Sequence, residues 1–120
     1  MAIIHEIDHD NYLVITRISG TISIDDLNSY SADLAYLVGE DRLNDQIVSI
    51  SNVIEWPEQK QLVEAAWHRP KVLSMESKIA IVADTSDERS FAEIWWGRRS
   101  ARDSMRIFTN ENDAKEWLGR

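Results

Sequence analysis

The segment Lys78-Ile-Ala-Ile-Val-Ala-Asp84 places an unbroken apolar run between a lysine and an aspartate. Its length is that of a strand. Continuous apolarity, rather than alternation, marks a strand covered on both faces, as inside a parallel sheet. The residues before and after it read as helices able to supply that cover. This one stretch therefore predicts a layered α/β domain.

The remaining chain fits around it. Residues 3–7 and 12–18 read as two strands joined through Asp8-His9-Asp10-Asn11, four turn-forming residues that favour a hairpin. Gly20 is expected to end the second strand. Ser23 opens a helix as N-cap, with Asp25 and Asp26 in the first turn where the dipole favours acids. Leu27, Tyr30, Leu34, Leu37 and Val38 form its apolar stripe, and Gly39 stops it. Residues 46–51 read as a third strand and residues 52–57 as a loop. Pro57 starts a second crossover helix with an apolar face of Leu62, Val63, Ala66 and Trp67; Pro70 ends it, and Val72, Leu73 and Met75 make a further turn. After the Lys78–Asp84 strand, Ser86 caps a third crossover helix whose face is Phe91, Ile94 and Trp95, and which finishes in arginines. Residues 105–108 are a last strand, and Asn110 caps a last helix carrying Ala114, Trp117 and Leu118.

The order is β-β-α-β-α-β-α-β-α. It predicts a mixed five-stranded sheet, mostly parallel with an antiparallel first strand, flanked by four helices. Residues 1–120 show no linker, internal repeat or low-complexity tract, and read as a single domain.

Composition removes several function classes. With no cysteine there is no disulfide, thiolate zinc site or cysteine nucleophile. The net charge of -8 opposes nucleic-acid binding, which depends on cations meeting phosphates. That charge is lopsided: residues 1–58 hold eleven acids and two bases, while residues 59–120 hold ten and eleven. The first residues meet acids at once and lack a signal-peptide pattern, and no apolar run reaches the roughly 18 residues of a membrane helix. The expectation is a cytoplasmic protein without stable membrane insertion.

The element order and certain residues resemble the STAS superfamily, and more closely its SpoIIAA-like branch, also described as STAS/SEC14-like. The resemblance is carried by Lys78–Asp84, then Phe91-Ala-Glu-Ile-Trp95, then Arg106-Ile-Phe108, then Asp113-Ala-Lys-Glu-Trp-Leu118, with Ser19-Gly20-Thr21 and the Ser23–Asp26 helix start similar to that branch's opening. It spans essentially the whole chain and implies the SpoIIAA-like (STAS) fold. The motifs are structural rather than catalytic. Anti-anti-sigma STAS proteins carry a phosphorylatable serine in an Asp-Ser-Ser-Gly-like turn before the second helix. The matching residues here, Val53-Ile-Glu-Trp-Pro-Glu58, have neither hydroxyl nor glycine. The resemblance thus implies a regulatory module without that switch, and its SEC14 side implies a lipid or other apolar ligand.

Among the chemistry-bearing residues, His5-Glu6-Ile7-Asp8-His9-Asp10 has a metal-like look that turn chemistry accounts for more simply. Ser51 and His68 show no evident acid–base geometry, and the four scattered glycines make no phosphate cradle. No enzyme activity, cofactor or metal is expected. The tryptophans are the unusual feature. Trp95 shares its stripe with Phe91 and Ile94, and Trp96, about 100° further round, is expected to face outward or into a groove. The candidate ligand or interface residues are Trp56, Leu62, Trp67, Ile94, Trp95, Trp96, Arg98, Arg99 and Arg102. Two functions follow. One is a protein-interaction module, with a protein partner or a homodimer, using the surface around Trp67 and Trp96. The other is a carrier of a lipid or small amphiphile, held in a groove between the second and third crossover helices with Arg98 or Arg102 at the anionic head.

Overall fold

A computed structural model describes residues 2–39, 44–70, 72–74, 76–100 and 103–120, the side chains of residues 98 and 100 excepted. The elements run β1 (Ile3–Asp8), β2 (Leu13–Thr21), α1 (Ile24–Val38), β3 (Asp45–Glu55), α2 (Gln59–His68), β4 (Ile79–Val82), α3 (Ser86–Trp95), α4 (Gly97–Ser100), β5 (Met105–Phe108) and α5 (Glu111–Leu118). The sheet order is β1-β2-β3-β4-β5. β1 runs antiparallel to β2, and every other neighbouring pair is parallel. The sheet, its mixed sense and the crossover helices are those predicted, with α4 as an addition.

Because the parallel strands advance in one direction across the sheet, right-handed crossovers put α1, α2 and α3 on the same face. Pairing of Ile3 with Ile18, Val14 with Gln46, Val48 with Ile81 and Ile81 with Ile107 lays an inner stripe beneath those helices. The other face carries Ile47, Ala80 and Phe108, against which α5 packs through Ala114 and Trp117. In β4, Ile79, Ala80 and Ile81 are all buried, as an apolar run covered on both faces requires.

Several boundaries differ from expectation. Gly20 does not end β2. It sits at φ +75 between two register shifts, a bulge that lets β2 continue to Thr21 and β3 to Glu55, so residues 52–55 are strand rather than loop. Thr85, not Ser86, caps α3. Glu88 is three residues further on, and its carboxylate accepts from the backbone N–H of Thr85 at 3.2 Å to close a capping box. Ser23 and Asp26 make the expected box at α1. Pro57 lies just ahead of α2, whose N-cap is Glu58. Val72 and Leu73 form no helical turn, and Met75 lies outside the described residues.

The largest difference is at the end of α3. The helix stops at Trp95 instead of running into the arginines, and Trp96, with φ -109 and ψ 21, turns the chain into α4. Trp96 is only 1% exposed, not outward-facing. It lines a small chamber together with Val72 and Leu73, from the connection after α2, and Arg99.

Candidate binding site

Helical spacing builds a cleft from two separate segments. The capping box that starts α1 puts Ile24, Leu27, Asn28 and Ser31 on one face, at i, i+3, i+4 and i+7. Gln61, Glu64, Ala65 and His68 repeat that spacing on α2. The two stripes face each other across a cleft of about 640 Å³, within the roughly 300–1,000 Å³ usual for small-molecule sites. Leu27, Ser31 and Trp95 are buried and form its floor, while Asn28, Gln61, Glu64 and His68 are exposed along its rim.

Arg69 closes one end. Pro70 forbids another helical turn, so Arg69 leaves α2 in an extended conformation, φ -64 and ψ 136. Its Nε donates to the carbonyl oxygen of Trp95 at 2.8 Å, and its guanidinium carbon lies 5.4 Å from the Trp95 ring centroid. That combination of hydrogen bond and cation–π contact fixes the floor relative to the end wall.

Behind this wall the core is polar. Gln46 Nε2 donates to Thr16 Oγ1 at 2.6 Å and to the Tyr30 hydroxyl at 3.0 Å. Thr16 Oγ1 lies 2.7 Å from His5 Nδ1, and the His5 ring stands edge-on to Tyr30 with centroids 4.8 Å apart. Burial pushes the Tyr30 pKa up to about 12, so the phenol remains a neutral donor, and burial lowers that of His5. Arg99 donates to the carbonyls of Ser77 at 3.0 Å and Leu73 at 2.6 Å. Burial, and secondarily the charge of Arg69, bring its pKa down to about 10.

Among the described candidate ligand or interface residues, Trp95 alone lines this cleft; His68, weighed as a catalytic candidate, is on its rim. Leu62 is core, and Ile94 and Trp56 are half-buried, with Trp56 5.1 Å from Phe91. Trp67 is 68% exposed on α2, away from the cleft lining. Trp96 and Arg99 are interior. Arg102 and the side chain of Arg98 lie outside what is described, and with them the proposed head-group contact. The cleft described here lies between α1 and α2, with Trp95 of α3 in its floor. The paired 24-27-28-31 and 61-64-65-68 spacings were the available signal. They went unread because polar residues interrupt both stripes. Among the described residues, no group of three or more His, Asp or Glu is placed to hold a metal, and no helix is long and apolar enough to cross a membrane.

No family model matches the chain, and neither does any curated protein. Among solved structures, an uncharacterised protein of the DUF3478 family from Shewanella loihica PV-4, with a SpoIIAA-like fold, superposes at TM-score 0.59. The match covers 98% of this chain and 92% of that one. The fold is SpoIIAA-like. At 15% identity the likeness concerns architecture alone. Within that SpoIIAA-like architecture, the cleft occupies the helical layer, between α1 and α2.

Proposed function

We propose that this SpoIIAA-like domain is a non-enzymatic binding module whose α1–α2 cleft takes a small amphiphile with an anionic head. The observation carrying this reading is the make-up of the cleft: an apolar floor of Leu27 and Trp95, with the Arg69 cation at one end. A buried aromatic floor supplies affinity, and a guanidinium at one end orients an anion. Native mass spectrometry of protein purified gently from its own cells tests it. Excess mass that leaves on activation is expected from the natural chain and not from Ala65→Trp, which fills the cleft. Protein that flies bare in both forms sinks the reading.

A second reading rests on a different surface. Val63 and Trp67 lie one turn apart on the outer side of α2, 37% and 68% exposed, and Ile54 on β3 is 83% exposed. Exposed tryptophan is enriched where proteins meet partners, which favours a protein contact or a homodimer here. Sedimentation should show concentration-dependent association that Trp67→Ser abolishes. A monomer at all concentrations counts against the homodimer.

A further inference from the structure

A chain of polar side chains crosses the interior from β1, through β2 and β3, to α1. His5 Nδ1 lies 2.7 Å from Thr16 Oγ1, and Gln46 Nε2 donates to Thr16 Oγ1 at 2.6 Å and to the Tyr30 hydroxyl at 3.0 Å. Thr16 is fully buried and Gln46 is 1% exposed, so bulk water replaces no partner at either side chain. Two atoms of the chain, His5 Nε2 and Gln46 Oε1, are buried without a hydrogen-bond partner among the described residues.

Counting hydrogens assigns each contact. The amide directs one hydrogen to Thr16 and the other to Tyr30. Thr16 Oγ1 is therefore an acceptor toward Gln46, and its own hydrogen points along the contact to His5 Nδ1. A ring nitrogen that accepts carries no proton, so neutral His5 holds its hydrogen on Nε2.

A proton added to His5 breaks this order. Nδ1 becomes a donor, facing a hydroxyl that is already donating to it. Thr16 has to turn its hydrogen away, and a buried hydroxyl hydrogen without an acceptor costs free energy. The Tyr30 oxygen, near Thr16, already receives a hydrogen from Gln46. The acceptor still lacking a donor is Gln46 Oε1. A half-turn of the amide brings that oxygen to both hydroxyls, with little change in shape because amide oxygen and nitrogen are nearly alike in size. The amide's free arm then changes from acceptor to donor. Gln46 borders a chamber of about 10 Å³, close to the room of one water molecule, which can serve that arm in either state.

We propose that His5, Thr16 and Gln46 form a proton-operated switch with two hydrogen-bond orders. With His5 neutral, the Gln46 amide gives its hydrogens to Thr16 and Tyr30. With His5 charged, the amide is turned and its oxygen receives hydrogens from both. A charge taken up on β1 is thereby reported on β3, at a chamber that shares Ser31 with the cleft lining. The switch does not depend on what the cleft holds. Few groups face the His5 ring. Burial, the largest influence, opposes its charge, while the Tyr30 backbone and the Asp33 carboxylate of α1 favour it. The Tyr30 ring stands edge-on to it with centroids 4.8 Å apart. On β2, Thr16 is flanked on the same face by Val14 and Ile18, which do not titrate.

Heteronuclear NMR of the full chain, followed downward from neutral pH until His5 has titrated, tests the switch. At neutral pH the His5 ring should show the Nε2–H tautomer. The Gln46 side-chain amide resonances should then shift with the same midpoint as the His5 ring. Thr16→Val removes the hydroxyl that links the two, so His5 should still titrate while the Gln46 amide shift is lost. Thr16→Ser keeps the hydroxyl and should keep the coupled shift, which provides a linked variant if Thr16→Val does not fold. An Nδ1–H tautomer at neutral pH overturns the proposal. So does a Gln46 amide that stays still through the His5 midpoint, or one that still moves in Thr16→Val. Unfolding before His5 titrates overturns it too, because a switch has to operate in the folded protein.

Discussion

Arg69 donates from Nε to the backbone carbonyl of Trp95 at 2.8 Å while its guanidinium lies against the indole of the same residue. Trp95 ends α3, so this carbonyl is one of the helix's orphan acceptors, and a cation is the appropriate partner for it. One side chain, from the residue that follows α2, thus caps α3 and braces the floor of the cleft. Arg69→Met keeps much of the apolar stem but loses both contacts. It should lower stability by about 2 kcal/mol, the sum expected for a charged hydrogen bond and a cation–π contact. Urea denaturation followed by far-UV circular dichroism checks this.

The tryptophans should separate cleanly on truncation. Trp96 is 1% exposed and packs edge-on to Tyr30 and Phe91 with centroids 6.1 and 6.0 Å away. Trp96→Ala should cost about 3–5 kcal/mol through cavity formation. Trp67, at 68% exposure, should change stability by about 0.5 kcal/mol or less when replaced by alanine. Equal losses in a denaturation series would contradict the burial described here.

Gly20 carries the β2 bulge at φ +75, and a Cβ there would meet no heavy atom within 4 Å. Any penalty for replacing it is therefore backbone strain rather than a clash. Gly20→Val should cost about 2 kcal/mol, and Gly20→Asn less, because asparagine tolerates the left-handed region. Thermal melts of the two variants distinguish strain from crowding.

Burial holds the His5 pKa below its ordinary value of 6.5. The unfolded chain therefore takes up the proton first. Stability from this group is complete above pH 6.5 and falls as the pH drops from there toward the folded-state pKa. The urea midpoint of the natural protein should decline as the pH falls below 6.5. In His5→Gln that part of the decline should shrink.

Much of the architecture was already legible in local sequence. The apolar run at 79–83 announced a doubly covered strand, and β4 is one. The Asp8–Asn11 turn gave the hairpin; in the fold, Asp8 accepts from both the backbone and side-chain nitrogens of Asn11. Ser23 and Asn110 cap α1 and α5 as their side chains suggested. Such signals are readable because each depends on chemistry within a few residues of itself. The misjudged positions depended on distant ones. The bulge at Gly20 is defined by its register with Val53 and Glu55, more than thirty residues away.

The binding site was harder to read for the same reason. Counting residues around an isolated helix points Trp96 outward or into a groove, and such a count carries no information about the packing that leaves it 1% exposed, lining a small chamber with Leu73 and Arg99. The arginines read as the finish of a helix and as candidate ligand residues; in the fold Arg99 is 3% exposed and satisfies two carbonyls of the preceding connection. Sequence by itself determined the layers, the strand sense and the helix starts, because periodicity, capping and turn chemistry act over one or two turns of chain. Only the tertiary structure decided where the cleft opens, which tryptophan floors it, and that Tyr30, Gln46, Arg69 and Arg99 converge. Convergence is a property of how β2, β3, α1 and α2 pack, and side chains far apart in sequence acquire shared burial and mutual electrostatics only once they are packed together.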